Sequence, residues 1–333
     1  MPIFREPFRG RTVPESIREQ QMQEFAAERE SVLGHVAEAK RMVRDLLSRD
    51  ARILVVDVAQ GGFDPSRVTD PGLVADMREL QFGGDELSHG AIFRHLLGFE
   101  PGDDRITIWD VARDPGAANL PFPDAWIATG GPAMPSEMLP GNETDNTHWL
   151  QRASESLRKL SELRVPGVAV CLGHQLFHAA HGVEVRKFRS QREIGTVGLT
   201  ATELGQQLQL LYGFWGPAGQ TEIMASHSQE AAGPAVSMEV VAFNDYADYQ
   251  VGVKPLREGQ SVLEADAEDE LVLSLQNHPE LLARYLEVLR ELGGEQIAAE
   301  GINLSSQVFR NTPQVRSIWH RFIELAARRS AKR

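Results

Sequence analysis

Val168-Ala-Val-Cys171-Leu-Gly173-His-Gln175 decides how this chain is read, because it joins an uninterrupted apolar run to the start of a helix. The run Gly167-Val-Ala-Val170 predicts a short strand covered on both faces, as in a parallel sheet. The residues after Cys171 predict a helix, and Gly173 gives the close turn room. A side chain on such a strand–helix turn projects from the C-terminal edge of the sheet, where open α/β sheets bind ligands. The helix N-terminus behind it favours a thiolate over a thiol and points backbone N–H groups at developing negative charge. Cys171 is the single cysteine of 333 residues. An internal disulfide and a multi-cysteine metal site are therefore excluded, and its value lies in packing or reactivity. The strand–Cys–x–Gly–helix setting favours reactivity.

Working outward, the same pattern recurs. Arg52-Ile-Leu-Val-Val-Asp57, Ile106-Thr-Ile-Trp109 and Ala125-Trp-Ile-Ala128 are further buried-strand candidates, and a helix is expected over about 147–163. This βαβ rhythm predicts a doubly wound α/β domain. Beyond about residue 183 short strands are expected at Thr196–Thr200, Glu222–Ser226, Glu239–Phe243, Gln250–Val253 and Leu271–Gln276. They suit an antiparallel or mixed extension of the sheet. A helix over Pro279–Leu292 follows, with Leu281, Leu282, Tyr285, Leu289 and Leu292 on one side, and a last helix starts at Thr312-Pro313. Pro14-Glu15 suits the start of an N-terminal helix with Val32, Val36, Val43, Leu46 and Leu47 near helical spacing. The segment 59–104 is long for a first βα connection. Its Gly61-Gly62, Asp64-Pro65, Asp70-Pro71-Gly72 and Gly83-Gly84 are turn signals, so loops are expected there. The organisation expected is a helical extension over 1–50, a main domain over 51–292 and a C-terminal helical extension over 293–333. The apolar stripes of the two extensions suit docking within the chain or association, including a homo-oligomer.

A cysteine nucleophile needs a base and a group to orient it. Gln276-Asn-His278-Pro-Glu280 supplies both at the end of an apolar strand, with a proline fixing the turn that aims Glu280 at His278. Thr129-Gly130-Gly131-Pro132, again directly after a strand, suits one half of an oxyanion hole. The N–H of Leu172 is expected to be the other half, beside that of Gly131. His174, His178 and His181 follow at i, i+4 and i+7 on one helix, a spacing that metal sites use. No acidic ligand stands at useful spacing, so packing and surface roles are expected and no metal site.

Composition narrows the partners. The formal charge of −13 argues against a nucleic-acid partner held mainly by phosphate contacts. Arg5, Arg9 and Arg11 at one end, and Arg328, Arg329, Lys332 and Arg333 at the other, are expected to be solvated termini. No stretch approaches the ~18 apolar residues of a membrane span, and the first residues lack the apolar core of a secretory signal. No membrane association and a cytoplasmic location are the expectations.

Together the three motifs resemble the class I, triad-type glutamine amidotransferases. The family pattern is a Gly-Gly-Pro oxyanion strand, then Gly-x-Cys-x-Gly-x-Gln, then Gln-Phe-His-Pro-Glu. This chain carries them in that order between residues 129 and 280, and the resemblance covers roughly residues 50–292. Cys171-Leu-Gly-His-Gln175 is similar to the glutaminase subunits of anthranilate and aminodeoxychorismate synthases. Arg192-Glu193-Ile-Gly195 and Ser226-His227-Ser228 are similar to the GMP-synthase-like branch. The resemblance implies a flavodoxin-like, doubly wound and mostly parallel sheet with helical extensions at both ends. It also implies cleavage of the glutamine side-chain amide through a Cys171 thioester, with His278 and Glu280 completing the triad and no cofactor. Gly130, Gly173, Gln175, Ser226 and His227 become substrate-side residues by the same resemblance. No synthetase domain is readable in the rest of the chain, so the ammonia acceptor is expected on a separate synthetase subunit. Two departures stand out. Ala169 replaces a glycine and adds a methyl that crowds the turn, and Asn277 replaces a phenylalanine at a position expected to vary freely. The scaffold leaves two alternatives open: hydrolysis of γ-glutamyl amines or peptides on the same triad, and a catalytically silent regulatory subunit.

Overall fold

Continuous apolarity in the short strands has its counterpart in a sheet covered on both sides. The computed structural model describes residues 14–60, 63–115, 122–139, 141–188 and 192–333, the side chains of 293–296 excepted. The Gly61-Gly62 turn signal and Arg5, Arg9 and Arg11 lie outside the described residues. In chain order the elements are α1 (Glu15–Leu46), β1 (Ile53–Asp57), α2 (Pro71–Asp76), α3 (His89–Leu96), β2 (Ile106–Asp110), β3 (Ala125–Ala128), α4 (Thr147–Glu162), β4 (Gly167–Val170) and α5 (Leu172–Ala180). There follow β5 (Val185–Lys187), β6 (Glu193–Ala201), α6 (Glu203–Gln207), β7 (Gln220–His227), β8 (Gln229–Ala231), β9 (Glu239–Phe243), β10 (Val251–Pro255), α7 (Val262–Ala267), β11 (Leu271–Leu275), α8 (Ala283–Ala299) and α9 (Ser317–Lys332).

Among the described residues nine strands form one sheet in the order β2-β1-β3-β4-β11-β10-β9-β6-β7. The first five run parallel, with Ile53 opposite Ile106 and Ala125, and Val168 opposite Ile127 and Leu273. This is the flavodoxin-like order, and four antiparallel pairings continue the sheet from β11 out to β7. Side chains alternate between two cores. Ile53, Val55, Ile127, Val168 and Leu273 face a layer containing Val32, Phe93, Trp319 and Phe322 from α1, α3 and α9. Leu54, Val56, Trp126, Ala128 and Ala169 face Leu150, Ala153 and Leu157 of α4 and Phe177 of α5.

Three expectations need correcting. The stretch 59–104 carries helices between its turns rather than loops alone: α2 runs directly into a wide π-helical segment, Met77–Phe82, and α3 follows. The helix expected from Pro279 starts at Ala283 and runs on to Ala299, because Pro279–Leu282 forms the turn that carries Glu280. On α1, Val32, Val36 and Val43 are buried, but Leu46 is half exposed and only Leu47 beyond the helix end turns inward. β5 and β8, a small antiparallel pair outside the main sheet, were not anticipated.

Candidate active site

The end of β4 delivers Cys171 onto a backbone with φ 48° and ψ −105°. A non-glycine residue in this region is uncommon and is held there by its neighbours. Here the Cys171 N–H donates to Leu275 O at 2.8 Å, and its carbonyl accepts from Gln175 N at 2.9 Å in the first turn of α5. The thiol is nearly buried, at 4% exposure, so only a small opening reaches it. The Ala169 methyl does not force the turn open: its neighbours in register are the small residues Ala128 and Ser274.

β11 ends beside β4, and its continuation supplies the partner. The His278 N–H donates to Met224 O at 2.8 Å, bridging this turn to β7. His278 Nδ1 lies 2.7 Å from Glu280 Oε1. A carboxylate only accepts, so Nδ1 carries the proton and Nε2 is left for Cys171, whose charge acts on the ring. Burial would favour a neutral ring. The negative charges of Cys171 and Glu280 outweigh it and hold His278 well above the ordinary histidine range. The arrangement stores a proton on the imidazole between a sulfur and a carboxylate.

A third strand end closes the site. Thr129 N donates to Val56 O at 3.1 Å, and Thr129 Oγ1 accepts from Val58 N at 3.0 Å. Gly130 lies against the pair: a Cβ there would sit 2.6 Å from His278 Cε1 and 3.3 Å from Cys171 Cβ. A Cβ on Gly131 would meet Val58 O at 2.6 Å and approach Leu172 Cδ2 at 3.1 Å. So the Gly130-Gly131 backbone packs beside the N-terminus of α5, where Leu172 opens the helix.

With this geometry in place, the comparisons with known proteins are informative. The family model described as "Glutamine amidotransferase class-I" matches residues 117–287, just over half of the chain. The chain belongs to the class-I glutamine amidotransferase family. A curated relative, one of the subunits of the glutamine-hydrolyzing GMP synthase of Saccharolobus solfataricus, is 29% identical over 127 residues. That alignment spans 38% of this chain and 58% of the relative, less than two thirds of its length. Among solved structures, a glutamine amidotransferase from Thermotoga maritima superposes with a TM-score of 0.52 at 12% identity, over 84% of this chain and 98% of its own. At that identity it speaks for the fold alone.

The remaining residues singled out in this class-I amidotransferase chain separate into groups. Gly173 is a packing residue, since a Cβ there would lie 2.7 Å from both Ala128 Cβ and Ala128 O. Gln175 is buried, and its Nε2 donates to Gln229 O at 2.8 Å and Gln276 Oε1 at 3.2 Å. Ser226 is half-buried on β7, on the same face as Met224, which holds His278. His227 points the other way, with Nε2 2.8 Å from Glu193 Oε2 and its ring beside Phe188. Asn277, expected to vary freely, is fully buried. The three helix histidines go to separate partners: His174 Nδ1 to Ser274 Oγ, His178 Nε2 to Tyr249 Oη, and His181 Nδ1 to Phe177 O.

Sequence reasoning missed a second ring of groups contributed by the amidotransferase's helical segments. Asp57 ends β1 and accepts from Ala59 N at 3.0 Å and Gly90 N at 2.8 Å. His89 of α3 stands near Asp57, Glu280 and His278. Burial, the largest influence, lowers its proton affinity below the ordinary value despite the two carboxylates. Tyr285 of α8 meets the His89 ring edge-on and is pushed up to about 12, by burial first and then by the charges of Glu280 and Cys171. Gln81 hydrogen-bonds the backbone on both sides of Leu281. No motif marks any of them. Gln81 and His89 reach the site only because helical segments within 71–96 pack against the Pro279–Leu282 turn.

Proposed function

We propose that this chain is a glutaminase: it hydrolyses the side-chain amide of glutamine through a cysteine thioester, without a cofactor. The observation that carries the reading is His278 held between Cys171 and Glu280, with Gly130 pressed against both the ring and Cys171 Cβ. The Cys171 thiolate attacks the carboxamide carbon, and the oxyanion is received by the N–H groups of Gly131 and Leu172. Each such donor lowers the barrier by about 3 kcal/mol. His278 Nε2 then protonates the departing ammonia. Water, deprotonated by the same nitrogen, cleaves the thioester to glutamate and restores the thiolate–imidazolium pair. Glu280 keeps the imidazole in the tautomer and orientation both steps require. Gly130, Gln175 and Ser226 are assigned to the substrate side, Ser226 through the β7 face it shares with Met224, whereas His227 faces Glu193 and Phe188 and serves Ser226 at most as a strand neighbour. Ammonia is delivered to a separate synthetase subunit, as the name of the Saccharolobus relative suggests.

Intact-mass labelling with an electrophilic glutamine analogue, with and without excess glutamine, tests the reading independently of turnover rate. The expected result is one adduct on Cys171, suppressed by glutamine. Labelling that glutamine fails to suppress rejects the glutamine pocket.

A further inference from the structure

Gln81 lies in the wide helical turn Met77–Phe82, outside the family-matched residues 117–287, yet its carboxamide reaches the catalytic turn with both of its polar atoms. Nε2 donates to Glu280 O at 2.8 Å, and Oε1 accepts from Leu282 N at 3.1 Å. Gln81 is fully buried, as is Glu280. A planar amide that pairs a carbonyl and an N–H two residues apart imitates a strand neighbour, and it fixes the peptide plane from which the Glu280 side chain leaves. Wide-turn helical segments of this kind recur at functional sites, where they re-aim one side chain. We propose that Gln81 is a positioning residue: it sets the Glu280 carboxylate on His278 Nδ1 and thereby holds the ring in the orientation that serves Cys171. This inference rests on the catalytic reading of Cys171, His278 and Glu280, but not on glutamine being the substrate.

The titratable groups around the turn are Cys171, His278 and Glu280 themselves, together with Asp57, His89 and Tyr285. Two substitutions separate positioning from space-filling. Gln81→Met keeps the volume and removes both hydrogen bonds. Gln81→Glu keeps both bonds while its carboxyl is protonated, when O–H donates to Glu280 O and C=O accepts from Leu282 N. It loses the donor on ionisation.

The experiment measures the rate of Cys171 alkylation by iodoacetamide between pH 5 and 9, and kcat and KM for glutamine over the same range. Activities are normalised to titrated thiol. For Gln81→Met the expected result is a kcat lower by about 10- to 100-fold, with KM within about twofold, as for a displaced orienting group. The alkaline limb of both profiles is expected at lower pH, because His278 has lost the carboxylate that holds its proton. Gln81→Glu is expected to match the native enzyme at the acid end and approach Gln81→Met at the alkaline end. Profiles of Gln81→Met that overlay the native ones per titrated thiol overturn the proposal, as does a Gln81→Glu defect that is constant with pH. If the native chain alkylates normally but does not turn over glutamine, the glutaminase reading fails, and the alkylation profiles alone still decide the role of Gln81.

Discussion

Between residues 117 and 287 the chain builds its site from backbone. Three strand ends, two glycines and one proline turn bring Cys171, Gly130 and His278 together. Between residues 15 and 96 it reaches the same turn with side chains. Gln81 brackets Leu281, and Glu28 of α1 accepts from Ala283 N at 2.6 Å and Arg284 N at 3.1 Å, capping α8 directly behind Glu280. α1 repeats the device further along: Gln21 exchanges two hydrogen bonds with the Phe309 backbone, and Glu24 accepts from Asn311 N. The contrast teaches that the matched region sets where Cys171, Gly130 and His278 stand, while segments outside it set how firmly they are held. Changes to the first region should therefore abolish chemistry at constant stability, and changes to the second should move stability and its pH dependence, Gln81 being the one that reaches Glu280 closely enough to lower kcat as well.

The largest effect belongs to Cys171, the proposed nucleophile. Cys171→Ala is expected to lower kcat by about 10³-fold or more, as loss of a covalent nucleophile does, with an unchanged circular dichroism spectrum and melting temperature. Full activity in that variant removes the thioester. Gly130→Ala comes next. Its new methyl would fall 2.6 Å from His278 Cε1, and displacing the ring is expected to cost about 10²-fold in kcat. Global stability should be nearly unaffected. A large drop in melting temperature with normal kcat would reverse the division between the two regions.

Glu28 tests the other side of the comparison. Burial, opposed by the hydrogen bonds from Ala283 and Arg284 and by the charge of Arg316, raises its pKa from 4.5 to about 7. The folded state therefore holds the proton more tightly than the unfolded chain. The stability this contributes is complete below pH 4.5 and is lost as pH rises through about 7. The shift corresponds to a contribution on the order of 3 kcal/mol. Denaturant titrations of the native chain and Glu28→Gln at pH 5, 6, 7 and 8 are expected to show that loss in the native chain alone. Parallel stability curves would mean that Glu28 does not titrate in this window.

How much of this the sequence carried depends on where the information is local. The strand at Gly167–Val170, the turn at Cys171 and the pair His278-Pro279-Glu280 are each a few adjacent residues whose types state their geometry. The segment 59–104 misled because the same residues that make turns also end helices. Asp70 caps α2 through Gly72 N, with Pro71 in its first turn, and Gly83, at φ 68°, ends the wide helix in a left-handed conformation. Pro279 had the converse effect, since a helix was read from it while the chain needed four residues of turn to place Glu280. Gln81 and Glu28 were illegible for a different reason. Their partners lie 199 and 255 residues away in sequence, and no local pattern records which backbone group a buried glutamine or glutamate will meet.

The smallest expected effect has the opposite sign of pH dependence, which makes it a sharp probe of the α1 interface. His35 of α1 is tied to Leu96 O by Nε2 at 3.0 Å, and its ring stacks on His320 of α9 at 4.1 Å between centroids. Because a carbonyl only accepts, Nε2 carries a proton. Burial first, then the His320 and Arg316 charges, lowers its pKa from 6.5 to about 3. The stability held in the neutral ring is present above pH 6.5 and is lost as pH falls toward 3. By pH 5 the loss amounts to about 2 kcal/mol. His35→Phe keeps a ring against His320 but gives up the bond to Leu96, so it should be about 1 kcal/mol less stable than the native chain at pH 7.5. It should then lose less than the native chain on acidification, and the two curves should cross between pH 6.5 and 5. If they do not cross, α1 is not held by a neutral His35, and the acid-side stability of the molecule has its origin away from the α1–α9 contact.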